Sequence, residues 1–242
     1  MARDNELGCL VTVRGLLLNE TRGEIAFDNT GGVVCKIMES AFPNPSENSF
    51  PDFLFPNGAL EHFQIGSSPE FPRGGSKYKC EESKARKTAA DCIAQSERAF
   101  LSSPPSPWTY EVEAIKDVYE DFSYRDFMVS LKKHFASHVE SLRKCGRSFG
   151  TVVFLMEQQT ARMGVWENGS FERFYLLSKD REALDFLSKY SSDVRYVVYL
   201  VGDTVEIIDI AKTPELIQTA EFGCDIRGGR TVQIHLGLHI TI

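Results

Sequence analysis

The stretch Pro51-Asp52-Phe53-Leu54-Phe55-Pro56-Asn57-Gly58-Ala59-Leu60-Glu61-His62-Phe63-Gln64-Ile65 decides how the rest of the chain is organised. It predicts two short apolar strands joined by a tight turn at Pro56-Asn57-Gly58, where Gly58 can supply the positive φ that such turns need. Each predicted strand carries one carboxylate among hydrophobic neighbours, Asp52 in the first and Glu61 in the second. Burying a carboxylate is costly unless a positive group compensates its charge. The stretch therefore predicts either a divalent metal site or, as the alternative, an ordinary exposed hairpin.

The composition is that of a globular chain with a sizeable core, since 42% of the 242 residues are hydrophobic and 25% are charged. No apolar run approaches the length of a membrane span, so we expect no membrane contact. Residues 1–6 lack the apolar segment of a signal peptide, which predicts a cytoplasmic protein. The six cysteines are scattered without a CxxC pair. That spacing favours reduced thiols over disulfides or a zinc site.

The charge is unevenly distributed along this acidic chain, whose formal net charge is −7. Basic residues are concentrated in residues 73–87 and again in residues 132–147. Local basic faces on an acidic protein can still contact phosphates. The first segment supplies the candidate DNA contacts Arg73, Lys79, Arg86 and Lys87. The alternative for each segment is a solvated helix face.

The remaining pattern predicts helices alternating with strands. The apolar periodicities predict helices over residues 78–100, 110–144 and 180–190, strands over 151–156, 194–201, 204–210 and 232–242, and a hairpin within 164–177. The order of these segments predicts one α/β domain over residues 1–242, with a central mixed β-sheet flanked by helices and a candidate internal linker at 102–107. The helices after Ile65 would carry the chain to a strand parallel to the second hairpin strand.

Side-chain alternation decides what can share a face with Glu61. Leu60, His62 and Gln64 point one way, whereas Glu61, Phe63 and Ile65 point the other. Asp52 can meet Glu61 if the hairpin register places both on one face. Two carboxylates make a hard, oxygen-rich Mg²⁺ site, and such a metal can polarise a phosphodiester for in-line attack by hydroxide.

Pro51-Asp52, a short spacer and Glu61 in a second apolar strand resemble the PD-(D/E)xK motif of the restriction-endonuclease-like superfamily. The resemblance covers residues 49–65. It implies a restriction-endonuclease-like fold and a Mg²⁺-dependent nuclease acting on DNA, in which Asp52 and Glu61 bind the metal. In that family a lysine two residues after the second acid positions or activates the attacking water.

The chain departs from the motif at that lysine, because Phe63 occupies the position. Gln64 is one residue further along and would need a bulge to face the metal. Lys77, Lys79 or Lys84 could instead supply the missing amine from the following segment. If none does, the chain is a catalytically degenerate protein of the same fold that binds nucleic acid or a protein partner.

The chain lacks the GxSxG, Walker A, HExxH and GxGxxG fingerprints, so hydrolases of those families, P-loop NTPases and Rossmann oxidoreductases lose support. The last predicted strand has one apolar face and would be a natural edge for pairing across a homodimer.

Overall fold

The computed structural model describes residues 2–18, 25–26, 31–46, 50–66, 77–102, 109–158, 163–168, 170–221 and 225–241. The chain forms two compact units. Unit 1 comprises Met1–Ser67 and Tyr124–Gly228, and unit 2 comprises Ser68–Ser123 and Gly229–Ile242. The linker predicted at 102–107 lies within the bounds of unit 2, and residues 103–107 are outside the described residues.

The bounds of the elements are as follows. The helices are α1 (Ala2–Leu18), α2 (Gly31–Ser40), α3 (Lys77–Leu101), α4 (Tyr124–Lys144), α5 (Arg181–Ser188) and α6 (Thr213–Thr219). The strands are β1 (Ile25–Ala26), β2 (Phe42–Pro43), β3 (Phe53–Phe55), β4 (Gly58–Ile65), β5 (Thr109–Ser123), β6 (Thr151–Gln158), β7 (Gly164–Glu167), β8 (Ser170–Phe174), β9 (Tyr196–Val201), β10 (Thr204–Asp209) and β11 (Asp225–Thr241).

The central sheet of unit 1 has seven strands in the order β1-β10-β9-β6-β4-β3-β2. The pairs β4–β6, β6–β9 and β1–β10 are parallel, and the other neighbours are antiparallel. The sheet is therefore mixed, and helices pack on it, so the predicted α/β class is confirmed. The predicted parallel pairing of β4 with the strand that follows the helices is also confirmed.

Helices α1 and α2 cover one face of this sheet. Their buried residues Leu10, Val13 and Met38 belong to one apolar cluster with Leu60 of β4 and Leu155 of β6. Arg14 of α1 links the two helices by hydrogen bonds, because its guanidinium donates to the main-chain carbonyls of Met38 and Ala41 near the end of α2. Met38 lies in the last turn of α2, where main-chain carbonyls are left without a donor from the helix, and Ala41 directly follows the helix, so Arg14 supplies a donor to both carbonyls.

Helix α4 covers the opposite face through the apolar stripe that the sequence predicts. Phe127, Leu131, Phe135, Val139 and Leu142 are all buried. Phe135 packs edge-on against Phe63 of β4 and Phe154 of β6. Successive side chains of β4 and β6 thus point alternately toward the two helix layers, as expected for a sheet buried on both faces.

Unit 2 contains α3, β5 and most of β11. The prediction of α3 is confirmed, but the predicted helix over residues 110–144 is wrong in its first part, because Thr109–Ser123 forms β5 and the helix begins only at Tyr124. Tyr110, Val112, Ala114, Val118 and Phe122 recur at even positions, which is the period of a strand.

The last predicted strand is confirmed as part of β11, whose residues from Gly229 onward belong to unit 2. Its first residues, Asp225–Arg227, pair with β7 of the predicted β7–β8 hairpin, which is also confirmed. These first residues of β11 are thus hydrogen-bonded to another strand of unit 1. Within the described part of the chain, no helix combines the length and the apolar character needed to cross a membrane.

Candidate metal centre

The opening hairpin brings Asp52 and Glu61 together. Strands β3 and β4 pair with Phe53 opposite Leu60, so Asp52 lies one step beyond, beside Glu61. The turn is confirmed, but the residue with positive φ is Asn57 (63°) and not Gly58. Gly58 is needed for another reason, since a Cβ there would lie 2.1 Å from the ring of Phe55 and 2.6 Å from the carbonyl oxygen of Thr151.

Each of the two carboxylates accepts a hydrogen bond from the other strand. The main-chain amide of Asp52 donates to Oε2 of Glu61 at 3.1 Å. The main-chain amide of His62 donates to Oδ2 of Asp52 at 2.8 Å. Because each carboxylate offers about four lone-pair sites, these bonds orient both groups and leave acceptor capacity for a cation.

The two carboxylates repel one another electrostatically. Partial burial and the neighbouring charge of Glu61 raise the pKa of Asp52 to about 7, although the hydrogen bond from the His62 amide acts in the opposite direction. Glu61 is itself buried. A pair of close carboxylates of this kind is stabilised by a shared cation.

His138 of α4 is a basic partner of Glu61. Its Nδ1 lies 2.8 Å from Oε1 of Glu61, and because a carboxylate only accepts, Nδ1 donates in this contact. The imidazole stacks on Phe63, with ring centroids 4.4 Å apart and ring planes 13° from parallel. Phe63 is only 5% exposed and also packs against Phe154. The residue at the motif lysine position therefore supports the ring of a histidine.

A second polar cluster lies on the other side of β4. His62 Nε2 lies 3.1 Å from Oε2 of Glu157, and the Gln64 amide donates to the same oxygen at 2.9 Å. These hydrogen bonds hold the pKa of Glu157 below its ordinary value although burial opposes the change. Cys9 of α1 is buried beside them, and burial and the charge of Glu157 raise the pKa of its thiol well above the ordinary value. His62 is thus a hydrogen-bonded histidine.

The structure does not bring Gln64 to Glu61. The β4–β6 register runs without interruption from Gly58 to Ile65, so the bulge that Gln64 would need is absent from this strand. Gln64 contacts Glu157 instead, on the side of β4 opposite to Glu61.

The other candidates lie in the bounds of unit 2, whereas Asp52 and Glu61 lie in unit 1. Lys77 and Lys79 are in α3, and their side chains are outside the described residues, as is Arg73 altogether. Lys84 and Lys87 are exposed on α3. Arg86 is also exposed and donates through its Nε and a terminal nitrogen to Oε1 of Glu82, at 3.0 and 2.7 Å.

Sequence reasoning missed His138 and Glu157. His138 follows Phe135 by three residues and precedes Leu142 by four, so it lies along the apolar stripe of α4. A histidine in such a stripe was a visible signal. Glu157 directly follows the buried run Val152–Met156, but its pairing with His62, 95 residues earlier, depends on the strand register.

Comparisons of the chain with protein-family models, with curated proteins and with solved structures gave no match. The geometry of the two clusters is therefore the basis for any functional conclusion.

Proposed function

We propose that this protein is a Mg²⁺-dependent phosphodiesterase of the nuclease type that acts on DNA, with Asp52 and Glu61 as the metal ligands and a restriction-endonuclease-like fold. The observation that carries the proposal is the placement of two carboxylates side by side, each held by a main-chain amide of the other strand. Mg²⁺ is bound in proteins by one or two carboxylates, with water and substrate phosphate oxygens completing its coordination.

The burial of this pair supports a cation at the same point. Glu61 is buried and Asp52 is partly buried, so their mutual repulsion is weakly screened by solvent. A hairpin whose only role was structural would gain at neutral pH from a neutral residue in place of Asp52, because burial and the charge of Glu61 disfavour its ionised form. Retaining both is physically reasonable where a divalent ion compensates them.

In this proposal His138 takes the part that lysine plays in the motif. It reaches Glu61 from α4, and Phe63 fixes the plane of its ring by stacking. With Nδ1 donating to Glu61, Nε2 is the nitrogen that can accept a proton from water. A metal held by Asp52 and Glu61 would lower the pKa of a bound water, and His138 would orient that water or accept its proton.

The second candidate is a catalytically degenerate protein of the same fold that binds nucleic acid or a protein partner. Phe63 favours it, because this side chain is a buried core residue in contact with Phe135 and Phe154. For either candidate, the exposed basic residues of α3, including Lys84 and Lys87, are the proposed contacts to DNA phosphates.

Plasmid cleavage by the full-length protein in Mg²⁺ or Mn²⁺ tests the nuclease proposal. We expect nicking of supercoiled DNA that is lost in Asp52→Ala and in Glu61→Ala, with circular dichroism spectra like that of the unaltered protein. Glu172→Ala is the matched control, since Glu172 is an exposed strand carboxylate in β8. Cleavage that survives both acid substitutions would contradict the assignment of the site.

Binding measurements separate the two candidates. Calorimetry should show Mg²⁺ binding to the unaltered protein and weaker binding to each acid variant. A folded protein that binds no Mg²⁺ is not an active nuclease of this type. Salt-sensitive DNA binding without cleavage in either metal would select the degenerate alternative.

A further inference from the structure

A second cluster of metal-ligating side chains lies apart from the Asp52–Glu61 pair. Cys9 of α1, His62 of β4 and Glu157 of β6 each offer one ligand atom, and the three atoms lie within 4.8 Å of one another. Cys9 is 4% exposed and His62 is 6% exposed. The Glu157 side chain is 28% exposed, so the cluster is buried yet open at one ligand.

We propose that Cys9, His62 and Glu157 form a binding site for Zn²⁺, distinct from the Asp52–Glu61 pair. The three residues come from separate elements, and the sheet register and the packing of α1 bring them together. The proposal does not depend on nuclease activity.

The spacing of the ligand atoms fits a zinc ion after a small closure. Zn²⁺ binds sulfur at about 2.3 Å and nitrogen or oxygen at about 2.0–2.2 Å, which places tetrahedral ligands roughly 3–4 Å apart. His62 Nε2 and Glu157 Oε2 are already 3.1 Å apart. His62 and Glu157 therefore already have the separation that a tetrahedral zinc site requires, and the Cys9 sulfur lies within 4.8 Å of both ligand atoms.

The identity of the ligand atoms selects the metal. A thiolate and an imidazole suit Zn²⁺ and related transition metals, whereas Mg²⁺ prefers oxygen alone. Three protein ligands leave the fourth tetrahedral position for water or a small ligand, which is the arrangement of zinc sites that keep an open position.

Gln64 gives the site an outer partner. Its amide donates to Oε2 of Glu157 and so orients that carboxylate. Partners of this kind fix the direction of a ligand and tune metal affinity. We therefore assign Gln64 to this cluster and not to the Asp52–Glu61 pair.

The two proposed sites meet at His62 but use different parts of it. The main-chain amide of His62 donates to Asp52, whereas the imidazole contacts Glu157. The side chains of Glu61 and His62 point to opposite faces of β4, toward His138 of α4 and toward Cys9 of α1 respectively. A zinc ion in the cluster would thus be held from the α1 side of the sheet.

Zinc titration of the full-length protein, stripped with EDTA, tests the proposal. We expect one equivalent of Zn²⁺ to bind in the Asp52→Asn/Glu61→Gln double variant, which removes competition from the carboxylate pair. Substitution of Co²⁺ should give a thiolate-to-metal charge-transfer band. Cys9→Ser should abolish that band, whereas Cys35→Ser, which alters a partly buried thiol of α2, should leave it unchanged.

Glu157→Gln is a second variant that keeps the test decisive if Cys9→Ser unfolds, because Glu157 is partly exposed and its replacement is nearly isosteric. We expect it to lower zinc affinity on the order of a hundredfold or more, since loss of an outer partner alone costs roughly ten- to a hundredfold. Absence of stoichiometric binding, or binding with no charge-transfer band, would overturn the proposal and leave a hydrogen-bonded His62–Glu157 pair beside a buried thiol.

Discussion

The rings of His138 in α4 and Phe63 in β4 lie face to face, with centroids 4.4 Å apart and planes 13° from parallel. Nδ1 of the same histidine donates a hydrogen bond to Oε1 of Glu61. The aromatic ring thus occupies the chain position of the motif lysine, and a histidine from another element occupies the space beside the acid. The two contacts together fix the imidazole in both plane and direction. This arrangement makes His138 the decisive residue for the nuclease proposal.

We expect His138→Asn to lower the rate of plasmid cleavage by about a hundredfold or more, because an asparagine amide can still donate to Glu61 but cannot exchange a proton near neutral pH. Mg²⁺ affinity measured by calorimetry should change little. His134→Asn, one turn earlier on α4, is the matched control. The proposed role of His138 fails if the variant keeps both the rate and the pH profile of the unaltered protein.

Phe63→Ala should destabilise the protein by about 3–5 kcal/mol, the usual cost of truncating a buried phenylalanine. Phe63 lies against Phe135, Phe154 and His138, and all three contacts would be lost. Urea denaturation followed by circular dichroism measures the change in the free energy of unfolding. Phe63→Leu, which retains more apolar volume, should cost less, and equal losses for the two variants would argue against a packing role.

Asp52→Asn should stabilise the metal-free protein at pH 8 more than at pH 5. The pKa of Asp52 is raised from 3.8 to about 7 in the folded chain, so its favourable contribution is present at low pH and is lost as pH rises from about 4 through 7. Asparagine carries no charge at any of these pH values, so the variant does not lose stability in this range. After allowance for solvent screening, the gain at pH 8 is about 1–2 kcal/mol.

Thermal denaturation in EDTA at a series of pH values checks this dependence. Addition of Mg²⁺ should raise the melting temperature of the unaltered protein at pH 8 and should have a smaller effect on the Asp52→Asn variant, since only a folded site binds the ion. Parallel pH curves for the two proteins would show that Asp52 does not carry the unfavourable charge.

The hairpin and its two acids were predictable because local signals specify them. Period-two alternation correctly separated Glu61 and Phe63 from His62 and Gln64, and the apolar run Thr151–Met156 predicted the strand that pairs with β4. The order of segments then implied a parallel crossover. The strand and turn inferences depend on neighbouring residues alone, and the crossover depends only on the order of the segments along the chain.

The partners of those acids were not predictable in the same way. His138 is 77 residues from Glu61, and its contact depends on the rotation of α4 about its axis. Cys9 joins His62 and Glu157 only after α1 packs on the sheet, so the cysteine spacing that disfavoured a zinc site carried no information about this cluster. The wrong prediction of a helix at β5 has another cause. The charged residues of this segment favour a helix, whereas its alternation of apolar and polar residues favours a strand.

Gly58→Ala should destabilise the hairpin even though Gly58 does not have positive φ. A Cβ there would lie 2.1 Å from the ring of Phe55 and 2.6 Å from the Thr151 carbonyl oxygen, so β3 or β6 would have to move away from β4. Overpacking of this kind costs about 1–3 kcal/mol, measured as the shift in the urea midpoint. Gly66→Ala is the control at the other end of β4, because a Cβ there meets nothing within 4 Å. If both variants unfold at the same urea concentration as the unaltered protein, the close approach of β3 and β6 at Gly58 does not constrain the hairpin. If Gly58→Ala alone is destabilised and also binds Mg²⁺ more weakly, the register that places Asp52 beside Glu61 depends on this glycine.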